Sequence, residues 1–100
     1  MQELGQAQRR ILKIVLALAG NELLGLAPVD IQRALGIANA STLTRDLDVL
    51  RDLGLAEQIP ETSRWRLGPK VVQIAVAFAN QMDRAERRLS EIRQRYSREP

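Results

Sequence analysis

Residues 28–55 read PVDIQRALGIANASTLTRDLDVLRDLGL, and the punctuation of this stretch decides the fold. Pro28 suits the first position of a helix, where its missing N–H would be unpaired in any case. Ile31, Ala34 and Leu35 give that short helix its buried face, and Gly36 ends it. A tight segment follows, Gly36-Ile37-Ala38-Asn39-Ala40, after which Asn39 or Ser41 can accept from the first free backbone N–H groups of another helix. Leu43, Leu47, Leu50 and Leu53 run along one side of that helix, which ends at Gly54 and is about 20 Å long at 1.5 Å per residue.

Outward from this stretch the elements follow in short order. Upstream, Ala7, Ile11, Leu12, Val15, Leu16 and Ala19 recur at spacings of three and four, which predicts an amphipathic helix over Gln6 to Ala19, stopped by Gly20-Asn21. Leu23, Leu24 and Leu26 form an apolar connector around Gly25. Downstream, Leu55–Ile59 and Arg64–Leu67 are β-compatible runs separated by Pro60-Glu61-Thr62-Ser63, the pattern of a hairpin. Gly68-Pro69 punctuates, and a last helix runs from Pro69 to about Ser97. The expected chain is mainly α with a small β-hairpin: a helix-turn-helix unit with its hairpin over residues 1–68, then a long C-terminal helix over 69–100.

Composition removes most chemistries. One hundred residues, 45% apolar and 27% charged, make one small globular domain. Cys and His are both absent, so disulfides, zinc fingers, thiol nucleophiles and imidazole bases are excluded. The expectation is a protein that is not an enzyme and uses no cofactor or metal. Asp48 and Asp52, four apart on one helical face, lack the third partner a metal would require and read as solvated surface. Three aromatic residues are too few for a base-stacking platform. The apolar runs Ile11–Ala19 and Val71–Ala79 are interrupted by Lys13 and Gln73 and fall short of the ~20 residues that span a bilayer. No membrane association and a cytoplasmic location are expected.

A helix-turn-helix followed directly by a hairpin is the winged-helix arrangement, in which one helix presents its outer face to a DNA major groove and the hairpin reaches the adjacent backbone. Away from the leucine face lie Ser41, Thr42, Thr44, Arg45 and Asp48, with Asn39 just before them. Ser and Thr are short donors to phosphates or base edges, and Arg can grip a guanine with two bonds. In the hairpin, Arg64 and Arg66 share one side, Trp65 points the other way into the core, and Lys70 follows closely. The competing reading pairs Arg45 with Asp48 or Asp52 on the helix surface and treats the two hairpin arginines as ordinary edge charges.

These residues resemble the N-terminal winged-helix domain of the IclR-type bacterial transcription regulators. The resemblance runs through Arg10-Ile11-Leu12, Ile31-Gln32-Arg33-Ala34-Leu35-Gly36-Ile37, Ser41-Thr42-Leu43-Thr44-Arg45, Leu50 with Leu53-Gly54-Leu55, and Arg64-Trp65-Arg66-Leu67-Gly68-Pro69-Lys70. It implies a double-stranded DNA-binding homodimer, with the start of the third helix and the hairpin on DNA. It also implies that the first helix, through Ile11 and Val15, and the post-hairpin helix pair the subunits. The family's ligand-sensing domain is missing, so the chain is either an excised fragment or a stand-alone regulator, and no small-molecule effector is expected. The Ser-Lys pair usual before the third helix is replaced by Ala38-Asn39-Ala40.

Charge is unevenly spread. Residues 1–20 are net +2, residues 21–60 net −3 and residues 61–100 net +4, giving the overall +3. The helix expected to enter DNA, decorated by Asp46, Asp48 and Asp52, therefore belongs to the acidic part of the chain. The alternative is a protein-binding module, an antirepressor or an inhibitor of a host factor, that uses this acidic helix. In the last helix Val71–Ala79 is apolar nearly all round, so one face can cover its own domain and the other needs a partner. Ala75, Phe78, Met82, Ala85, Leu89, Ile92 and Tyr96 then alternate at three and four, a coiled-coil seam, and Val72 joins the expected dimer interface. A parallel pairing would set Arg88 against Arg93 of the partner subunit, whereas an antiparallel one can bring Glu86 near it. Crossed or antiparallel final helices are expected.

Overall fold

The computed structural model describes residues 4–98. Four helices and a two-stranded antiparallel sheet follow in the order α1 (Gln6–Leu18), α2 (Pro28–Leu35), α3 (Ala40–Asp52), β1 (Ala56–Gln58), β2 (Trp65–Leu67) and α4 (Pro69–Ser97). Mainly helical with a small hairpin is therefore what the chain forms, and each boundary falls within a residue or two of its sequence signal.

Local chemistry explains the boundaries. Gly36 closes α2 in the left-handed region, at φ 67°, and donates its N–H to the Gln32 carbonyl. Asn39 caps α3: its Oδ1 accepts from the Ser41 backbone N–H at 2.9 Å and from the Ser41 hydroxyl at 2.7 Å. The hairpin pairs Ala56 with Leu67, Glu57 with Arg66 and Gln58 with Trp65. Its ladder is shorter than the runs suggest, but Ile59 N–H still donates to the Arg64 carbonyl at 2.7 Å, so the turn is the four residues Pro60–Ser63. The apolar connector adds a rung: Leu26 and Trp65 exchange both backbone hydrogen bonds, at 2.7 and 2.8 Å.

The core is small and belongs to the first 67 residues. Ile14 and Leu18 of α1, Ile31 of α2, Leu43, Leu47 and Leu50 of α3, Ala56 of β1 and Trp65 of β2 form it, joined by Ile37. Two details depart from the sequence reading. On α1 the stripe that packs inward is Ile11, Ile14, Val15 and Leu18, whereas Leu12 and Leu16 are exposed. Both stripes obey the helical spacing, and only contact with α2, α3 and β2 chooses between them. On α2, Ala34 is exposed and the buried face reduces to Ile31 and the half-buried Leu35; on α3, Leu53 is exposed past the last turn.

The larger departure is α4. No residue of it is buried, and beyond the half-buried Val71 every residue to Ser97 is exposed. The face expected to cover its own domain does not do so: the helix leaves the head after one turn and projects. Among the described residues no helix is long and apolar enough to cross a membrane.

Candidate nucleic-acid interface

The amino end of α3 lies beside the outer face of α1. Between them runs a cleft of about 560 Å³, lined by Gln6, Arg9, Arg10 and Lys13 from α1, by the Leu35–Asn39 turn, and by Thr42. The α1 residues sit at i, i+3, i+4 and i+7, the spacing of one helical face. The same helix carries apolar stripes of equal period, which mask this polar face in the sequence.

Around this cleft the side chains divide into engaged and available. Ser41 is engaged by its cap, and the Thr44 hydroxyl donates to the Ala40 carbonyl at 3.0 Å, although both residues are exposed at the rim. Thr42 is half-buried against the cleft. Arg45 is exposed and has no hydrogen-bond or ion-pair partner among the described residues. Its expected competitor partner, Asp48, instead accepts from Arg51 at 2.8 Å. Arg51 also lies over the Trp65 ring, 5.5 Å from its centroid.

Asp46 departs from the surface position expected of it. It is buried, and Arg10 of α1 donates to both of its oxygens, Nε to Oδ2 at 2.5 Å and Nη2 to Oδ1 at 3.2 Å. These hydrogen bonds raise the Arg10 pKa above its ordinary value, against a smaller opposing effect of burial. The sequence signal for this pair was faint: an acidic residue one position before the core Leu47, thirty-six residues from its partner.

The hairpin arginines are both occupied. Arg64 folds back over the connector, donating from Nε to the Leu24 carbonyl and from Nη2 to the Gly25 carbonyl, each at 3.0 Å. Arg66 donates to Glu57 across the ladder at 2.6 Å. Lys70 is exposed at the start of α4, with its stem over Gly54. Trp65 is buried as expected. Ile11 and Val15 spend part of their surface on the core of their own domain, while Val72, Ala75, Phe78, Met82, Leu89 and Ile92 are all exposed along α4.

The charge map changes accordingly. Of the six carboxylates in residues 21–60, Asp46, Asp48 and Glu57 are neutralised within the fold. The α3 start is thus left with Arg45 exposed, and Lys13 is exposed on the α1 side of the cleft. Comparisons of the chain with protein-family models, with curated proteins and with solved structures each returned no match.

Proposed function

We propose that the protein is a sequence-specific double-stranded DNA-binding regulator, built on a winged helix-turn-helix of the IclR type and acting as a homodimer by operator occupancy. In this reading α2 and α3 are the helix-turn-helix, the β1–β2 hairpin is the wing, and the exposed start of α3 enters a major groove. The observation that carries it is the pairing of Arg45 exposed with Asp46 withdrawn: the adjacent carboxylate that would repel a phosphate is turned inward and held by Arg10.

Roles follow from availability. Arg45, with Ser41 and Thr44 beside it, supplies base-edge or phosphate contacts; Asn39 shapes the approach by capping the helix. Lys13, on the α1 side of the cleft, supplies backbone charge on one flank, and Lys70 does so on the other. Occupancy needs no catalytic group, in keeping with a chain that has neither His nor Cys. The rival reading, an acidic α3 face that docks a protein, keeps Asp52 as the one carboxylate of that helix without an ion pair among the described residues.

The test is selection from random-sequence DNA with purified protein at two salt concentrations. Enrichment of a two-fold motif, lost with Arg45→Ala, is the expected result. No enrichment, together with no salt-dependent binding at low ionic strength, overturns the DNA reading in favour of the protein-binding one.

A further inference from the structure

We infer that α4 is covered by α4 of a second copy of this chain, lying antiparallel over its whole length, with Met82 and Ala85 astride the two-fold axis. The inference rests on the homodimer in the reading above and on nothing in its DNA half.

The single chain is far from compact. Its radius of gyration is 20.0 Å, against about 13 Å for a compact domain of 100 residues. Its longest dimension is 71 Å, and its 29-residue α4 is about 43 Å long. That helix carries Phe78 at 66% and Met82 and Leu89 at 49% exposure, an apolar seam that lies exposed beyond Val71.

The seam has two interleaved rows, Val71, Phe78, Ala85 and Ile92 in one and Ala75, Met82, Leu89 and Tyr96 in the other. Ile74, Gln81, Arg88 and Arg95 flank it on one side; Val72, Ala79, Glu86 and Arg93 flank it on the other. These flanks decide the occupant's direction and register. In a parallel pair Arg88 meets the partner's Arg93, twice by symmetry. Antiparallel pairs differ by one heptad at a time. The shortest brings Glu86 to the partner's Arg93, but sets Arg88 on the partner's Arg95 and leaves Phe78 and Met82 beyond the end of the partner helix. The next sets Glu86 on the partner's Glu86 and Arg88 on the partner's Arg88.

The full overlap has none of these conflicts. Ala79 meets the partner's Glu86 and Gln81 the partner's Arg88. Val72 and Ile74 receive the aliphatic stems of the partner's Arg93 and Arg95. Its layers place Met82 on the partner's Ala85, Phe78 on the partner's Leu89, Ala75 on the partner's Ile92 and Val71 on the partner's Tyr96. Sliding one heptad further would carry Ile92 and Tyr96 past the start of the partner helix at Pro69. This register also accounts for the asymmetry of α4: the half that is apolar nearly all round lies against the half whose narrow seam is fenced by arginines.

The chain has no cysteine, so disulfide mapping reads the geometry directly. Without DNA, light scattering should give a dimer mass, and mild oxidation should cross-link the Ala75→Cys, Ile92→Cys double variant, while Ala75→Cys alone stays unlinked. The two positions of one chain are about 25 Å apart on the helix, so the bond has to be between copies. Cross-linking by Ala75→Cys alone would establish a parallel pair and overturn the register; a single-chain mass at every concentration would overturn the second copy. Phe78→Glu with Leu89→Glu should give a monomer with unchanged Trp65 emission, because the head core does not use α4; a dimer surviving both changes also overturns the proposal. A dimer that selects no DNA leaves this inference standing and removes only the DNA reading, and a DNA-binding monomer overturns this inference together with the homodimer half of that reading while its DNA half stands.

Discussion

Arg10 of α1 holds the buried Asp46 of α3 with two hydrogen bonds, and this pair fixes the helix whose exposed start carries Arg45. A charge pair that is partly withdrawn from water contributes less than its Coulomb energy suggests, yet removing one member strands the other. Arg10→Ala is therefore expected to cost about 2–3 kcal/mol in urea unfolding, with Asp46→Asn costing less because the amide carries no charge. A raised arginine pKa adds stability that is fully present below the ordinary value and is lost only as pH climbs through the folded-state value. For Arg10 both lie in strong alkali, so its contribution should be flat across neutral pH.

Arg45→Ala should separate function from folding. The side chain is exposed and has no ion-pair or hydrogen-bond partner among the described residues, so unfolding free energy should stay within about 0.5 kcal/mol of wild type. Affinity for a selected operator, measured by fluorescence anisotropy, should fall by about 1–3 kcal/mol per lost bidentate contact.

Lys13→Ala reports on the cleft flank. If each subunit of a dimer loses one phosphate contact, the slope of log affinity against log salt should flatten by roughly 2, at about 0.9 per contact. Sequence preference should be unchanged, because a backbone contact positions the protein without reading bases.

Arg64→Ala should behave in the opposite way to Arg45→Ala. Its guanidinium ties the Leu24–Gly25 carbonyls to the hairpin, and a lost charge-assisted bond of this kind is worth about 1.5–3 kcal/mol. The unfolding midpoint should drop, while operator affinity of the folded protein changes less than it does with Arg45→Ala.

Two glycines are fixed by space. A Cβ at Gly68 would stand 2.3 Å from the Gly54 carbonyl oxygen, and one at Gly25, where φ is +72°, would stand 2.7 Å from that of Trp65. Either alanine variant has to move backbone, and a loss of about 1–3 kcal/mol is expected from chemical denaturation.

What the residues disclosed and what they withheld follow from the range of the forces involved. Helix ends were legible because their causes are local: Pro28, Gly36, Asn39 and Gly54 act within a turn of where they stand. The choice between the Leu12/Leu16 stripe and the Ile14/Leu18 stripe was not, because both satisfy the same period and only α2 and α3 distinguish them. Arg10 with Asp46, and Arg64 with the connector carbonyls, join positions 36 and 39–40 residues apart, and no periodicity announces such pairs. The same long-range pairings recast an acidic stretch as one with an available arginine.

A helix that spends almost none of its apolar face on its own head makes folding and assembly separable. The head can melt and re-form at a temperature set by its own core, whereas joining two heads depends on how much protein is present. Under the proposed operator reading, the second head would bind at an effective concentration set by a stiff connector about 43 Å long rather than by the bulk. Doubling the supply of such a chain changes avidity before it changes the fold of a single molecule.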